Sequence, residues 1–579
     1  MANWVVSAKR ADFQAMGKKY GIDPVIARLI RNRDIERDED IQLFLNGTLD
    51  QMHDPLGLQD MDKAVEFLVT EIHKESKIRI IGDYDIDGIC ASYILRKGLM
   101  ACGADSSIAI PHRVTDGYGL NRNLIQAAYE DGIQVIITCD NGISASKEIA
   151  YAKELGMQVV VTDHHCVPYE EDGDGRREIL PDCVAIINPK READTYPFPE
   201  LCGAMVACKL MEAMYHFLEL DWNEVRGEYL EIGAFATIGD LMPLRGENRI
   251  LVKHGLEHMR HTANIGLRSL MEVNGIMPEQ LSAYHIGFVL GPCFNATGRL
   301  ETAMKTIALL ESNNQEQAQA LALELKELND RRKELTLQGV EEAKVVLEGS
   351  KNQNDRVLVV YLEHCHESLA GIIAGRIKEQ YYKPTFILTK GEECVKGSGR
   401  SIEAYSMFEE MVQQEHFFTK YGGHAMAAGL SMRVEEVDDF RIAINESCTL
   451  TEEDLQEKVI IDVPMPLDYI TESLIEELKR LEPFGMGNHK PIFATKDILV
   501  LSHHIIGKNQ NVWKAKVESE GGIAFEVVYF GDVQGIDRYL QQEGRIRTNR
   551  GTKLSITYYP SMNEYQGVRS IQIVITGYQ

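Results

Sequence analysis

The sequence predicts an α/β chain. A parallel-sheet domain is joined by a long helix to a smaller α/β domain, and a C-terminal β-barrel follows. Three observations predict this order. From about Lys77 to Lys190, short β-branched runs alternate with helical stretches. One helical pattern runs unbroken across 315–348. Towards the end of the chain, only strand-like runs at hairpin spacing remain.

Residues 1–75 read as a polar helical segment, with PVIARLIRNR giving short apolar spacing. KIRIIGD, SIAIPHR, QVIITCD, QVVVTDH and VAIINPK then read as strands. ASYILRKGLMACG, NRNLIQAAYEDG and SASKEIAYAKELG read as the helices between them. Strand–helix alternation of this kind builds a parallel sheet covered on both faces. This first domain is assigned to 76–312, with 200–310 mostly helical. Leu321, Leu325, Leu328 and Leu335 recur at helical spacing in the connecting helix, 313–350. The heptad is too short to favour a coiled-coil dimer. RVLVVYL, SLAGIIAGRIKEQ and PTFILTK open a second α/β unit, 351–450. An acidic stretch, TLTEEDLQEK, marks its end, and 455–579 reads as the β domain.

The chain has 579 residues, with 61 Lys and Arg against 88 Asp and Glu, a net charge of −27. Hydrophobic residues at 44% and charged residues at 26% are globular values and exclude a disordered or fibrous chain. Nothing approaches the ~18 unbroken apolar residues of a membrane helix. MANWVVSAKRADF lacks a basic-then-apolar leader pattern, and the eleven cysteines form no C-x-x-C pair. A reduced, cytoplasmic setting is expected, with no membrane association and a monomeric chain. An acidic surface repels phosphate, so a general nucleic-acid coat is excluded. A nucleic-acid enzyme with basic groups gathered in one groove is not.

The acids fall at strand ends. KIRII runs into Gly82-Asp83-Tyr84-Asp85-Ile86-Asp87-Gly88, QVIIT into Cys139-Asp140-Asn141-Gly142, and QVVVT into Asp163-His164-His165. In an open parallel sheet, ligands bind beyond the carboxyl ends of the strands. Taken singly, each motif has a plainer reading. D-x-D after a strand is a turn and helix cap, and Asp87 is read that way. Asp-Asn-Gly is a turn. Histidine pairs arise by chance, as His503-His504 shows. Three acidic strand ends in order point instead to a cation, because clustered carboxylates repel one another unless compensated. Oxygen donors with imidazole suit Mn²⁺ or Mg²⁺.

With GAFATIGDLMPL added, these motifs resemble the four of the DHH phosphoesterase superfamily. GPCFNATGRL, GSGRS and YGGHAMAAG resemble its RecJ-type exonucleases and the DHHA1 domain, and LEPFGMGNHKPIF resembles the entry to their oligonucleotide-binding (OB) fold. The resemblance spans roughly residues 75–579. It implies a DHH catalytic domain, a DHHA1 domain, and 5′-to-3′ digestion of single-stranded DNA by two divalent ions, Mn²⁺ or Mg²⁺, in repair and recombination. A helicase and a single-strand-binding protein are implied as partners. Asp83, Asp85, Asp140, His164 and Asp240 match the metal ligands. His165, Asp140 and Asp163 match catalytic positions. Arg113, Ser398 and Arg400 match the pocket for a 5′-terminal phosphate. Asn295, Arg299, Gly422, Gly423 and His424 match positions that face the substrate. Cys293 stands where the family has arginine, and Cys365, Glu367 and Ser368 also depart from its pattern.

Residues 501–560 carry eight basic groups (Lys508, Lys514, Lys516, Arg538, Arg545, Arg547, Arg550, Lys553) against six acids, reversing the global sign. Trp513, Phe525, Tyr529 and Phe530 interleave with them, as stacking groups or as barrel core. The alternatives are a phosphodiesterase or pyrophosphatase acting on short RNA, cyclic dinucleotides or pyrophosphate, and a non-catalytic scaffold of the same fold. Relatives of the first kind are shorter and lack the β domain.

Overall fold

A computed structural model describes residues 3–113, 115–172, 175–349, 354–391, 394–542, 547–548, 551–565 and 567–579. The chain divides into two units. One is Thr48–Leu455; the other combines residues up to Gly47 with Gln456–Gln579.

Within Thr48–Leu455 lies a five-stranded sheet, every neighbouring pair parallel. Its order is Asp105–Ala109, Lys77–Ile81, Val135–Cys139, Gln158–Thr162, Ala185–Ile187. Alternate side chains feed two cores. Ile78, Ile80, Val135, Ile137 and Val160 face one, beneath the helices Ile86–Ala101 and Gly203–Phe217. Ile81, Ile136, Val159 and Val161 face the other, with Ile125 and Ala128 of Arg122–Glu130 and Ile149 and Ala152 of Ser146–Glu154. The chain lays its second strand on one side of Lys77–Ile81 and its third on the other. The carboxyl ends of Lys77–Ile81 and Val135–Cys139 therefore flank the point where strand order reverses, which is where such sheets bind ligands.

The helix Gln315–Gly349 has 35 residues, a length of about 50 Å at 1.5 Å per residue. Its first half packs Ala318, Ala322 and Leu325 into the core of the parallel-sheet domain. Its second half packs Val340, Ala343 and Leu347 against Val360, Ile373 and Ile377 of the next domain. That domain carries a mixed sheet: Phe418–His424, Ala427–Met432, Val395–Arg400, Thr385–Lys390, Leu358–Tyr361, with only the last pair parallel.

In the other unit, Phe493–Ile506, Val512–Glu518, Ala524–Tyr529, Val568–Tyr578 and Gly551–Tyr565 pair in that order, and the last returns to the first. This closed five-strand order is that of an OB fold. Among the described residues, 455–579 also holds two helices that an all-strand reading omits, Glu472–Lys479 and Val533–Gln541, the latter following the barrel's third strand. Asp532 caps it at Gly535 N–H, and Val533, Ile536, Tyr539 and Leu540 are buried. Its 3.6-residue period is short and follows directly on a strand. Trp513 is fully buried in the barrel and Tyr529 packs on that core, whereas Phe530 is exposed. Arg545, Arg550 and Glu543 lie outside the described residues.

The segment read as 1–75 is shared between the units. Its first part belongs with the barrel: Asn3–Val6 pairs in parallel with Lys458–Ile461, and Ile26, Leu29 and Ile30 join the barrel core. Buried Arg33 fixes this join, donating to Asn488 Oδ1 (2.5 Å), to the Leu29 carbonyl (2.6 Å) and to the His489 carbonyl. Arg33→Met should destabilise this unit by about 2–4 kcal/mol, because it orphans buried acceptors. Calorimetry should show one lowered transition; an unchanged thermogram would remove Arg33 from the join.

Candidate metal centre

Three strand ends and one helix end meet here. Lys77–Ile81 leads into Asp83, and Asp85 then caps the next helix, accepting from Asp87 N–H (3.0 Å) and Gly88 N–H (3.1 Å). Gly88 is required: a Cβ there would stand 2.5 Å from the Asp83 backbone nitrogen. Asp140 follows Val135–Cys139 with φ +60°, a left-handed turn that bends the chain into the site. Asn141 braces that turn, donating to the Ile81 carbonyl (3.1 Å) and the Cys139 carbonyl (2.9 Å) and accepting from Leu120 N–H (3.1 Å). Asp163 follows Gln158–Thr162, and Asp240 ends the helix Trp222–Gly239.

His164 Nε2 lies 3.1 Å from Asp140 Oδ1, 3.5 Å from Asp87 Oδ2 and 3.7 Å from Asp240 Oδ2. Two sets of donor atoms fall within 4.8 Å of one another: Asp140, His164, His165, and Asp87, His164, Asp240. Asp83 and Asp85 are outside both sets; Asp85 turns one oxygen to its helix cap. Asp83 turns one oxygen to Gly119 N–H (3.3 Å). Asp83 Oδ2, Asp140 Oδ1 and His164 Nδ1 are buried without a hydrogen-bond partner. Buried unpaired oxygens among acids are what a hard divalent ion completes, so the donor set fits Mn²⁺ or Mg²⁺.

The electrostatics agree. Burial first, and neighbouring carboxylates second, push Asp83, Asp85 and Asp140 above the usual carboxylate range. The same causes, with Asp87 and Asp85 as neighbours, push Asp240 up to about 8. Asp163 differs. Burial pushes it up, but His165 and the backbone N–H of Ile143 and His165 bring it below its usual value. Its Oδ1 lies 2.8 Å from His165 Nδ1. Burial lowers His165 as it lowers His164, yet the Asp163 carboxylate carries His165 above its ordinary value.

Sequence reasoning missed Asp87 and Tyr118. Asp87 was read as a cap of its own helix. Instead its oxygens accept from Gly203 N–H (2.6 Å) and Ala204 N–H (2.8 Å), capping a distant helix beside His164. The third Asp of the D-x-D-x-D run was its only signal. Tyr118 hydroxyl donates to the Asp140 carbonyl (2.8 Å) and lies 3.2 Å from His165 Nε2.

The expected substrate-facing residues are distributed as follows. Arg113 lies over the Tyr84 ring, 4.7 Å from its centroid. Burial, then Arg113, Arg332 and Arg400, pull Arg299 down to about 9. Burial and Arg113 likewise lower Arg400. Among the described residues, none of Arg113, Arg299 and Arg400 is ion-paired with a carboxylate. Ser398 and Arg400 sit two apart on one strand and share a face. Asn295 Oδ1 accepts from Ile86 N–H (2.9 Å), bracing the helix that Asp85 caps. Arg299 donates to the Ser368 carbonyl (2.7 Å) and Ser368 Oγ returns a bond to the Arg299 carbonyl (3.2 Å), linking two domains. Gly422, Gly423 and His424 are exposed on the edge strand Phe418–His424. Cys293 is buried, donating to the Val289 carbonyl, and Glu367 pairs with Lys396 (2.9 Å).

Profiles of three families match in order: the DHH family N-terminal domain over 77–237, the DHHA1 domain over 354–449 and the RecJ OB domain over 461–577. The single-stranded-DNA-specific exonuclease RecJ of Escherichia coli is 32% identical, over 96% of this chain and 95% of its own. That of Bacillus subtilis is 33% identical, over 97% and 69%. This chain belongs to the RecJ family of single-stranded-DNA-specific exonucleases. Among solved RecJ structures, that of Thermus thermophilus RecJ in complex with Mn²⁺ superposes with a TM-score of 0.81 at 25% identity, covering 100% of this chain and 79% of the other.

A carboxyl raised by folding weakens the fold once it ionises. For Asp240, the metal-free protein is most stable below the unfolded value of about 4 and loses that increment as pH rises towards about 8. Asp240→Asn should therefore flatten the fall in metal-free Tm between pH 5 and 8. Parallel Tm profiles for the two proteins would contradict this.

Proposed function

We propose that this chain removes nucleotides from the 5′ end of single-stranded DNA by divalent-ion-dependent phosphodiester hydrolysis, in DNA repair and recombination. One observation carries the reading. Among the described residues, a buried acid–imidazole cluster with unpartnered ligand atoms lies in the same unit as three arginines that are not ion-paired with a carboxylate. The first suits divalent cations and the second suits a phosphate.

Asp83, Asp85, Asp140, His164 and Asp240 would hold two ions, Mn²⁺ or Mg²⁺, with Asp87 within reach of the same set. When bound, a divalent pair neutralises phosphate charge and acidifies water for attack near neutral pH. Asp140, whose turn stands at the strand-order reversal, would be central to that set. Asp163 orients His165 through Nδ1. With substrate bound, His165 would turn its Nε2–H, which rests 3.2 Å from the Tyr118 hydroxyl, to a non-bridging phosphate oxygen or to the leaving oxygen. Arg113, Ser398 and Arg400 grip the terminal phosphate by charge-assisted hydrogen bonds, which sets the direction of digestion. Arg299, Asn295, Gly422, Gly423 and His424 face the strand that follows. A channel between the DHH and DHHA1 domains too narrow for duplex would exclude paired DNA. Lys508, Lys514, Lys516, Arg538 and Lys553 of the barrel add backbone contacts.

An enzyme restricted to single strands depends on another activity to open duplex, so a helicase and a single-strand-binding protein are natural partners. A cytoplasmic, monomeric enzyme fits this role. All eleven cysteines are free, and among the described residues no helix is long and apolar enough to cross a membrane.

Single-stranded DNA labelled at either end, digested with Mn²⁺, should yield a ladder shortening from the 5′ end. Cleavage of dinucleotides or pyrophosphate alone would refute the reading. Asp140→Ala should lower kcat by roughly 10³-fold or more while the protein stays folded. Arg400→Ala should raise KM for 5′-phosphorylated strands roughly tenfold and change KM for 5′-hydroxyl strands much less.

A further inference from the structure

The segment Tyr118-Gly119-Leu120 touches every strand end of the switch point. Tyr118 hydroxyl donates to the Asp140 carbonyl at 2.8 Å, Gly119 N–H to Asp83 Oδ1 at 3.3 Å, and Leu120 N–H to Asn141 Oδ1 at 3.1 Å. Three consecutive residues thus each give a hydrogen bond to the turn beyond Lys77–Ile81 or the turn beyond Val135–Cys139. None belongs to either turn. The loop follows the edge strand Asp105–Ala109, which pairs with Lys77–Ile81.

Tyr118 does more than brace the backbone. Its single hydroxyl proton is spent on the Asp140 carbonyl, so its oxygen is left to accept from His165 Nε2, 3.2 Å away. His165 is held from its other side by Asp163. The ring is pinned at both nitrogens although its side chain is 46% exposed. Tyr118 also packs edge-on against His165 (centroids 5.8 Å apart) and edge-on against Tyr84 (6.3 Å). Tyr84 in turn lies under the Arg113 guanidinium. Arg113 belongs to the same loop, five residues before Tyr118. An unbroken series of contacts therefore runs from Arg113 through Tyr84 and Tyr118 to His165 and the Asp140 turn.

We propose that Tyr118 is a positioning residue that couples the terminal-phosphate grip at Arg113 to the placement of His165, so that turnover, rather than binding alone, depends on a 5′-phosphate. The inference rests on the nuclease reading above and adds to it a means by which an end is preferred to an internal linkage. A terminal phosphate that draws Arg113 towards itself shifts the Tyr84 ring stacked beneath it. That ring abuts Tyr118, whose hydroxyl sets the His165 ring. An internal phosphodiester that does not engage Arg113 leaves the series in its resting arrangement. The physical element is short, made of rings packed edge-on and one hydroxyl that donates to the Asp140 carbonyl and accepts from His165, and it is broken by removing a single oxygen.

The test uses the full-length protein with Mn²⁺ and oligonucleotides bearing either a 5′-phosphate or a 5′-hydroxyl. Tyr118→Phe keeps the ring contacts and deletes only the oxygen. It should lower kcat on 5′-phosphorylated strands about tenfold, the scale of one positioned hydrogen bond. KM should change less than about twofold, and Mn²⁺ binding by calorimetry should match the wild type. The wild-type preference in kcat for 5′-phosphate over 5′-hydroxyl should shrink in Tyr118→Phe and also in Tyr84→Leu, which interrupts the series one step earlier. A double-mutant cycle of Arg113→Ala with Tyr118→Phe should be non-additive in kcat. Unchanged kcat in Tyr118→Phe, or strict additivity in the cycle, would overturn the coupling while leaving the nuclease reading intact. A rise in KM alone would make Tyr118 a binding contact and would equally overturn it. A wild-type protein that digests neither strand would defeat the underlying reading instead.

Discussion

Burying several carboxylates around one imidazole is the constraint on which the parallel-sheet domain is organised. Asp83, Asp87, Asp140 and Asp163 are each nearly inaccessible to solvent, and Asp85 and Asp240 add to the same field. Desolvation and mutual repulsion both disfavour ionisation there. The fold meets the cost in two ways. Backbone N–H groups at Asp87, Gly88, Gly119, Ile143, Gly203 and Ala204 take up individual oxygens. What those donors leave unpaired, on Asp83, Asp140 and His164, matches the demand of a hard divalent ion.

The backbone donors also explain the glycines. A Cβ at Gly88 would meet the Asp83 backbone, and one at Gly203 would come within 2.7 Å of Asp140 Cβ. Both positions need the absence of a side chain because a helix start is drawn up against a neighbouring acidic turn. Two helix N-termini are thus directed at the acids, one receiving Asp85 and the other Asp87, where their exposed N–H groups favour negative charge.

Charge is segregated along the chain. The net charge of −27 would repel a polyanion. Yet Arg113, Arg299 and Arg400 crowd one another with no carboxylate ion-paired to them among the described residues, and burial pulls Arg299 and Arg400 below the usual arginine value. An anion bound among guanidinium groups so held would relieve their repulsion. The Ser368–Arg299 pair of bonds fixes that group across two domains. Ser368 contributes there through both its backbone and its hydroxyl. Cys293 is buried, its thiol donating to the Val289 carbonyl.

The sequence by itself determined the order of elements, the parallel sheet, the long joining helix and the acidic strand ends, because each is a local pattern: a period of two or 3.6, or an acid following an apolar run. It also placed His164 and His165 at one of those ends. Only the tertiary structure decided how the acids divide their work. Asp87 caps a helix more than a hundred residues away, Asp85 spends an oxygen on its own helix, and Tyr118 spans two turns. These pairings depend on strand order, which no local pattern records. The assignment of the first residues to the barrel, through Arg33 and the Asn3–Val6 pairing, was hidden for the same reason. Its contacts join residues more than 400 positions apart.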